Sequence, residues 1–362
     1  LKLLPGNGIE GLGGRMSVRF VEAVKQDCIV TKETLPTAEM LARAKRERRE
    51  PPSDAVFNYF PSYDGEMLRY ARFPASRVLE AKGTVIFLPG RTEFIEKFIE
   101  DVHIWNDLGF ACAAMDLRGQ GMSYRPHADR DRHFVRSFEP HIEDVKTLFE
   151  KALTNKMPAP FILMGHSAGS HVILRVMKEY PRLAKAAITV APMVDVFTGG
   201  VPRFIPKWLT IAMRYMGLGA KYIPGHGPFK DGRWGWRRKL THDDDRFCDE
   251  DFFIKEKDRR LAVGGATYKW LREALRSCDK LQSPGYPEAI QAPVLILQAG
   301  EDAIVDNDAQ TKFAERLPNG KLVVIEGAMH EILKETDEHR AEVWKAIGEF
   351  IDLENGPDFS AI

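Results

Sequence analysis

Three observations predict an α/β fold with a mostly parallel central sheet, helices on both faces and an inserted cap. Short apolar strands alternate with helical segments after a leading hairpin. One strand-to-helix junction is a tight turn, Gly165-His166-Ser167-Ala168-Gly169. The alternation then lapses over residues 194–285 and resumes afterwards, which marks an insertion.

The elements follow in chain order. Gly6-x-Gly8-x-x-Gly11 has the spacing of a dinucleotide fingerprint, but no strand precedes it, so it carries no such site. Met16 reads as the natural start. Residues 38–49 read as a charged helix stopped by Pro51-Pro52, its basic run a solvated face rather than a nucleic-acid patch. Val56–Phe60 and Met67–Phe73 flank Ser62-Tyr-Asp-Gly65 as a hairpin. Then come strand Gly83–Leu88, helix Glu93–Leu108, strand Phe110–Leu117, helix Ile142–Leu153, strand Phe161–Met164, helix Ala168–Tyr180 and strand Ala186–Ala191. After the interruption stand strand Val294–Gln298, helix Asp308–Leu317, strand Leu322–Ile325 and the closing helix Glu338–Leu353. The chain therefore divides into an N-terminal extension (1–54), a core (55–193 and 286–355) and a cap (194–285). A ligand site is expected beyond the carboxyl ends of the strands.

Composition narrows the function classes. The 362 residues are 44% hydrophobic and 29% charged, with a formal net charge of zero, so no global field recruits nucleic acid. Cys28, Cys112, Cys248 and Cys278 are scattered without C-x-x-C pairing. That argues against a disulfide scaffold or a zinc site and fits a reducing compartment. Cys112 reads as a small core residue. Neither a membrane-spanning run nor a secretory leader is evident, so the cytoplasm is the expected location.

The chemistry centres on Ser167. The turn predicts a strained backbone with the hydroxyl held open above the sheet, and the Ala168 amide at the helix start aimed at an oxyanion. Such a serine needs a base and an acid to orient it. Asp302 follows the strand Val294–Gln298 and His330 follows Leu322–Ile325, so serine, acid and histidine each lie just past a strand. Asp306, Asp308 and, more weakly, Asp195 are alternative acids. His166 and His171 flank the serine but read as packing or hydrogen-bonding residues. The second oxyanion amide is assigned to Arg91, in the loop Leu88-Pro-Gly-Arg-Thr92, with the Arg91 side chain facing an anionic head group or pairing with Glu93 or Glu96. Asp116-Leu-Arg-Gly-Gln-Gly-Met-Ser123 reads as a structural turn.

Several motifs together resemble the α/β-hydrolases of the bacterial lysophospholipase and monoacylglycerol lipase group. They are Leu88-Pro-Gly-Arg-Thr-Glu-Phe-Ile-Glu-Lys97, Asp116-x-Arg-Gly-Gln-Gly-x-Ser123, the Ser167 pentapeptide, Gly300-Glu-Asp302 and Gly327-Ala-Met-His330 with Lys334-Glu335. The resemblance spans about residues 55–353. It implies the α/β-hydrolase fold and a serine hydrolase of monoacyl lipid esters that uses no cofactor or metal. Many relatives carry histidine where Pro89 stands. The rival readings are a general carboxylesterase, a peptidase or acyltransferase with the same triad, and a non-catalytic binding protein on this fold.

The cap leaves two arrangements. Its apolar residues (Phe204, Ile205, Trp208, Leu209, Ile211, Met213, Tyr215, Met216) face the site, while its basic ones, Arg203 to Lys239, are solvated or pair with Asp243–Asp251. This is the expected arrangement, because the acidic run nearly cancels the charge. In the other, basic and apolar groups together meet an anionic lipid surface, a peripheral contact with the inner membrane. The acidic run lacks the features of a calcium loop and reads as a solvated loop. Trp208, Trp234, Trp236, Tyr268 and Trp270 are candidates for an acyl pocket or for the cap's own core.

Overall fold

The structure, a computed structural model, describes residues 35–75, 81–230 and 239–351. The glycine-rich start, Met16, Cys28, Asp231, Arg233, Trp234, Trp236, Arg237, Arg238 and the end of the closing helix lie outside the described residues.

Eight strands form one sheet: β1 (Val56–Pro61), β2 (Met67–Phe73), β3 (Thr84–Leu88), β4 (Ala111–Met115), β5 (Phe161–His166), β6 (Ala186–Val190), β7 (Val294–Ala299) and β8 (Gly320–Ile325). Their order is β1-β2-β4-β3-β5-β6-β7-β8. The hairpin strand β2 joins β4 antiparallel, and every other pairing from β4 to β8 is parallel. The chain leaves β3 for β4 on one side and returns across it to β5 on the other. Connections that diverge in this way leave a crevice between the carboxyl ends of β3 and β5. Those two ends carry Leu88-Pro-Gly-Arg-Thr92 and Ser167.

Alternation along each strand sorts the two sides of the core. On β5, Leu163 faces α3 (Glu139–Leu148) and α4 (Ala168–Glu179), packing among Val145, Val172 and Val176. Ile162 and Met164 face the opposite layer, among Trp105 of α2 (Ile99–Asp107) and Trp344 near the C-terminus. Helix α1 (Ala38–Glu47) packs on α2, so it is part of this layer. Its basic run is not a solvated face: Arg48 and Arg49 both reach Asp249 (3.1 and 2.7 Å), whose carboxylate is buried.

Between β6 and β7 lie α5 (Phe204–Tyr215), α6 (Asp244–Phe252) and α7 (Tyr268–Leu281). The acidic run expected as a solvated loop is instead helix α6, because Asp243 caps it through the Arg246 amide (2.9 Å) and Arg246 anchors it. Arg246 is buried and forks onto the Glu100 carboxylate at 2.7–3.1 Å. It also reaches Asp243, Asp337 and the Glu335 carbonyl. Helices α8 (Asn307–Ala314) and α9 (Asp337–Phe350) complete the fold.

Burial alone would raise the Glu100 carboxyl, but the Arg340 charge and the Arg246 hydrogen bonds outweigh it and bring it down to about 2. A depressed carboxyl contributes stability above its unfolded value of 4.5, and that contribution fades as pH falls toward 2. Arg246→Ala leaves Glu100 with a partner fewer in a buried site and should cost about 3–5 kcal/mol by urea unfolding at pH 7. The deficit should narrow in acid across that same pH window.

Candidate active site

Ser167 sits between β5 and α4 at φ 50°, ψ −113°, a conformation costing about 1–3 kcal/mol for a non-glycine residue. Surrounding bonds hold it. The Ser167 amide donates to the Val190 carbonyl (2.9 Å), and its carbonyl accepts from His171 (3.0 Å) and Met193 (3.1 Å). The Ser170 hydroxyl accepts from the Val190 amide (3.0 Å), tying the first turn of α4 to β6. The flanking glycines are a packing necessity. A Cβ on Gly169 would meet the Leu88 carbonyl oxygen at 2.1 Å, and one on Gly165 would meet it at 2.9 Å. The serine is not as open as the turn alone suggests: it is 6% exposed, because the loops after β3, β6 and β8 converge on the turn.

His330 and Asp302 meet. The His330 Nδ1–H donates to Asp302 Oδ2 at 2.7 Å, and Asp302 Oδ1 accepts the amides of Ile304 (2.8 Å) and Val305 (3.0 Å). Burial raises the Asp302 carboxyl, yet His330 and these amides outweigh it and hold it below the usual carboxylate range. With Nδ1 committed to a carboxylate, Nε2 is left as the acceptor nitrogen of the neutral ring. The imidazole lies beside the serine turn, its centroid 4.8 Å from that of His166. The alternative acids are engaged elsewhere. Asp306 caps α8 through the Ala309 amide (2.9 Å), Asp308 is exposed in the first turn of α8, and Asp195 pairs with Arg203 (2.7 Å).

The loop after β3 is held from three sides. Gln120 donates to the carbonyls of Gly90 (2.6 Å) and Glu93 (3.0 Å) and accepts the Thr92 amide (3.3 Å). Asp116 accepts the amides of Ile95 (2.9 Å) and Met122 (2.8 Å). Gly121 at φ 54° lies so close to Asp116 that a Cβ would reach its carboxyl carbon at 2.2 Å. The turn Asp116–Ser123 is therefore scaffold, as read from sequence, and what it scaffolds is the loop bearing Gly90 and Arg91. The Ala168 amide, at the first position of α4, has no intrahelical acceptor.

Sequence reasoning missed the group behind this loop. His166 Nδ1 faces Glu93 Oε1 at 3.1 Å and Nε2 faces the His330 carbonyl at 3.0 Å. Both nitrogens meet acceptors, so the ring is an imidazolium that donates twice. Lys97, also buried, pairs with Glu93 (3.1 Å), Glu331 (3.2 Å) and Glu250 (3.5 Å). Burial pushes the Glu93 carboxyl up, but Lys97 and His166 drive it well below the ordinary range. Burial pushes the His166 ring down, but Glu93 raises it on balance. A salt bridge from Arg91 to Glu93 or Glu96 is not what forms. Glu93 is taken by His166 and Lys97 and Glu96 by Arg69, while the Arg91 guanidinium lies 5.7 Å from the Trp270 ring centre. His171 is a packing residue: Nδ1 meets the Met193 carbonyl (2.8 Å) and Nε2 the Ser277 hydroxyl (2.6 Å), with burial lowering the ring to about 3.

The inserted segment departs from expectation. Most of its apolar residues on α5 face outward: Phe204, Ile205, Trp208 (68% exposed), Leu209, Tyr215 (83%) and Met216 form one stripe, while Ile211 and Met213 are half-buried. Arg203 pairs with Asp195 and Asp279, and Lys207 with Asp279, rather than with Asp243–Asp251. That acidic helix is already matched by Arg48, Arg49 and Arg246. Trp208 is thus exposed to solvent, whereas Tyr268 and Trp270 are buried.

A family model described as serine aminopeptidase, S33 (Hydrolase_4) matches residues 79–337. Lysophospholipase L2 of Escherichia coli K12 is 28% identical over 318 residues, covering 82% of this chain and 88% of that protein. Among solved structures, a soluble variant of monoglyceride lipase from Saccharomyces cerevisiae superposes with TM-score 0.65 at 18% identity, covering 82% of this chain and 95% of that one. A thermostable carboxyl esterase from Bacillus coagulans gives TM-score 0.63 at 16% identity, covering 83% and 99%.

Stability from the His166–Glu93 pair is complete below the unfolded imidazole value of 6.5 and fades as pH rises through the raised folded value. His166→Gln should therefore lose melting temperature relative to the parent at pH 6, and the gap should close as pH rises. A gap that widens with pH contradicts an imidazolium here.

Proposed function

The chain belongs to the serine aminopeptidase S33 family, and from that premise we propose that it is a serine hydrolase of monoacyl lipid esters, of the lysophospholipase or monoacylglycerol lipase kind. The observation that carries the reading is the Asp302–His330 hydrogen bond beside the strained Ser167 turn. The names of the relatives, lysophospholipase L2 and monoglyceride lipase, support the substrate class.

In this reading His330 Nε2 takes the Ser167 proton as the hydroxyl attacks the ester carbonyl. Asp302 keeps the ring in the tautomer that can accept it and stabilises the imidazolium that forms. The Arg91 and Ala168 amides receive the oxyanion, which helix α4 favours at its N-terminus. His330 then protonates the leaving alcohol, and water, activated by the same ring, releases the acid from the acyl-enzyme. Each step is proton transfer or acyl transfer among these groups and calls for no cofactor. Residues 194–285 act as a cap on the core formed by 55–193 and 286–355.

Ser167→Ala and His330→Ala should each lower kcat by roughly 10⁴–10⁶-fold, and the double variant should be no worse, because the triad acts as a unit. Asp302→Asn should cost more than Asp306→Asn or Asp308→Asn. A fluorophosphonate probe should label Ser167 in the folded parent; absence of labelling supports the binding-protein reading instead. Hydrolysis rates on lysophospholipids, monoacylglycerols, short esters and aminoacyl amides then separate lipase, esterase and peptidase. Fastest turnover of the aminoacyl amides would move the assignment to the activity in the family's description.

The cap also supports a peripheral membrane contact. Among the described residues no helix is long and apolar enough to cross a bilayer, but the outer stripe of α5 suits an interfacial helix. Arg203 and Lys207 spend their charge on Asp195 and Asp279, so apolar insertion outweighs electrostatic attraction. Cosedimentation should detect binding to neutral as well as anionic vesicles, and Trp208→Asp should weaken both by about tenfold or more. Binding to anionic vesicles alone, abolished by salt, contradicts this mode.

A further inference from the structure

We propose that His242, Glu335 and His339 form a binding site for a divalent transition metal of the zinc type, outside the ester-hydrolysing centre. One ligand atom from each residue lies within 4.8 Å of the others. His242 Nδ1 is 3.0 Å from Glu335 Oε1, and His339 Nδ1 is 3.4 Å from Glu335 Oε2. Zinc bonds of about 2.0–2.1 Å in a tetrahedron put neighbouring ligand atoms about 3.4 Å apart. Each ring already stands near that separation from one oxygen of the carboxylate, His242 from Oε1 and His339 from Oε2, and rotation of the 41% exposed His242 would bring both rings onto one ion. Two imidazoles and one carboxylate are a donor set that zinc accepts with a fourth position open to solvent.

The carboxylate is held as a ligand would be. Glu335 is wholly buried, and its oxygens accept the amides of Met329 (2.9 Å), Thr336 (3.1 Å) and His242 (3.2 Å). Backbone donors of this kind fix the orientation of a metal-binding carboxylate. Among the described residues the ion-pair partners of Glu335 are the two imidazoles alone. A metal would replace the His242 Nδ1–Glu335 hydrogen bond (3.0 Å) and the His339 Nδ1–Thr336 hydroxyl hydrogen bond (3.2 Å), and leave the three amides untouched. Glu335 precedes α9, and His339 lies on its first turn four residues later, so one side of the site is rigid.

The position gives the site a consequence. His242 belongs to the segment between β6 and β7, whereas Glu335 and His339 follow β8. The two pieces already touch through the Glu331 amide on the Leu240 carbonyl (2.7 Å) and the Thr241 hydroxyl on the Lys334 carbonyl (2.7 Å). A bound ion would clamp the inserted segment to the loop that carries His330, because Glu335 also holds the amide of Met329, the preceding residue. The ion is a structural clamp and takes no part in ester cleavage.

Isothermal titration of the metal-stripped full chain with zinc should show one site with micromolar or tighter affinity. The same titration with magnesium should show none. Cobalt titrated in place of zinc should give visible absorption bands of tetrahedral intensity. His242→Ala, at an exposed position, and His339→Gln should each weaken zinc at least tenfold while keeping the parent's circular dichroism. Ser167→Ala should bind as the parent does, and zinc should raise the melting temperature of both. Absence of stoichiometric binding to the parent overturns the proposal, as does binding that survives in the His242→Ala, His339→Gln double variant.

Discussion

The close approach of β3 to the Ser167 turn is the constraint on which the rest of the site depends. The Leu88 carbonyl lies where a side chain at position 169 would have to be, so strand and helix can meet only across glycine. That contact sets the loop after β3 next to the start of α4. The strain at Ser167 persists because its amide and carbonyl, with the Ser170 hydroxyl, are all bound to the chain around Val190 and Met193. Turn and neighbouring loops form one unit, and the strain is distributed among bonds that none of them could supply alone.

Loops lack the periodic hydrogen bonds of strands and helices, and here buried charge takes their place. Glu93, His166 and Lys97 link the loop after β3 to the His330 backbone and to Glu331. Asp116 and Gln120 hold the same loop from its other side. Such groups are costly to remove from water, and a hydrophobic replacement could be as stable. Hydrogen bonds are directional, however, and an apolar packing would not orient amides at the start of α4. Geometry at the site is what these buried groups supply, more than net stability.

The segment between β6 and β7 divides into parts with different mechanical character. Helices α6 and α7 are tied down: Arg246 joins α6 to α2 and to the chain before α9, Arg48 and Arg49 reach it from the end of α1, and α7 buries Trp270 and Leu275. Helix α5 fully buries only Thr210. An element with few buried apolar contacts opens at little cost. The N-terminal helix, outside the motif-bearing core in sequence, thus steadies the anchored half.

Much of the fold was determined by the chain read alone. The short apolar strands, the period-3.6 helices and the hairpin turn are local patterns, and all eight strands stand close to where those patterns place them. The Ser167 turn, with Asp302 and His330 each just past a strand, was legible for the same reason: glycine spacing and strand ends are properties of neighbouring residues. What a long charged or aromatic side chain meets is not local. The sequence cannot say that Glu93 turns from Arg91 to His166 and Lys97, or that the acidic run is a helix matched by arginines some two hundred residues earlier. Nor does helical periodicity tell an inward apolar stripe from an outward one, and only packing decided that α5 shows Trp208 to solvent. Pairings across the fold depend on which surfaces the assembled sheet brings together, and that is settled by burial and charge neutralisation in three dimensions.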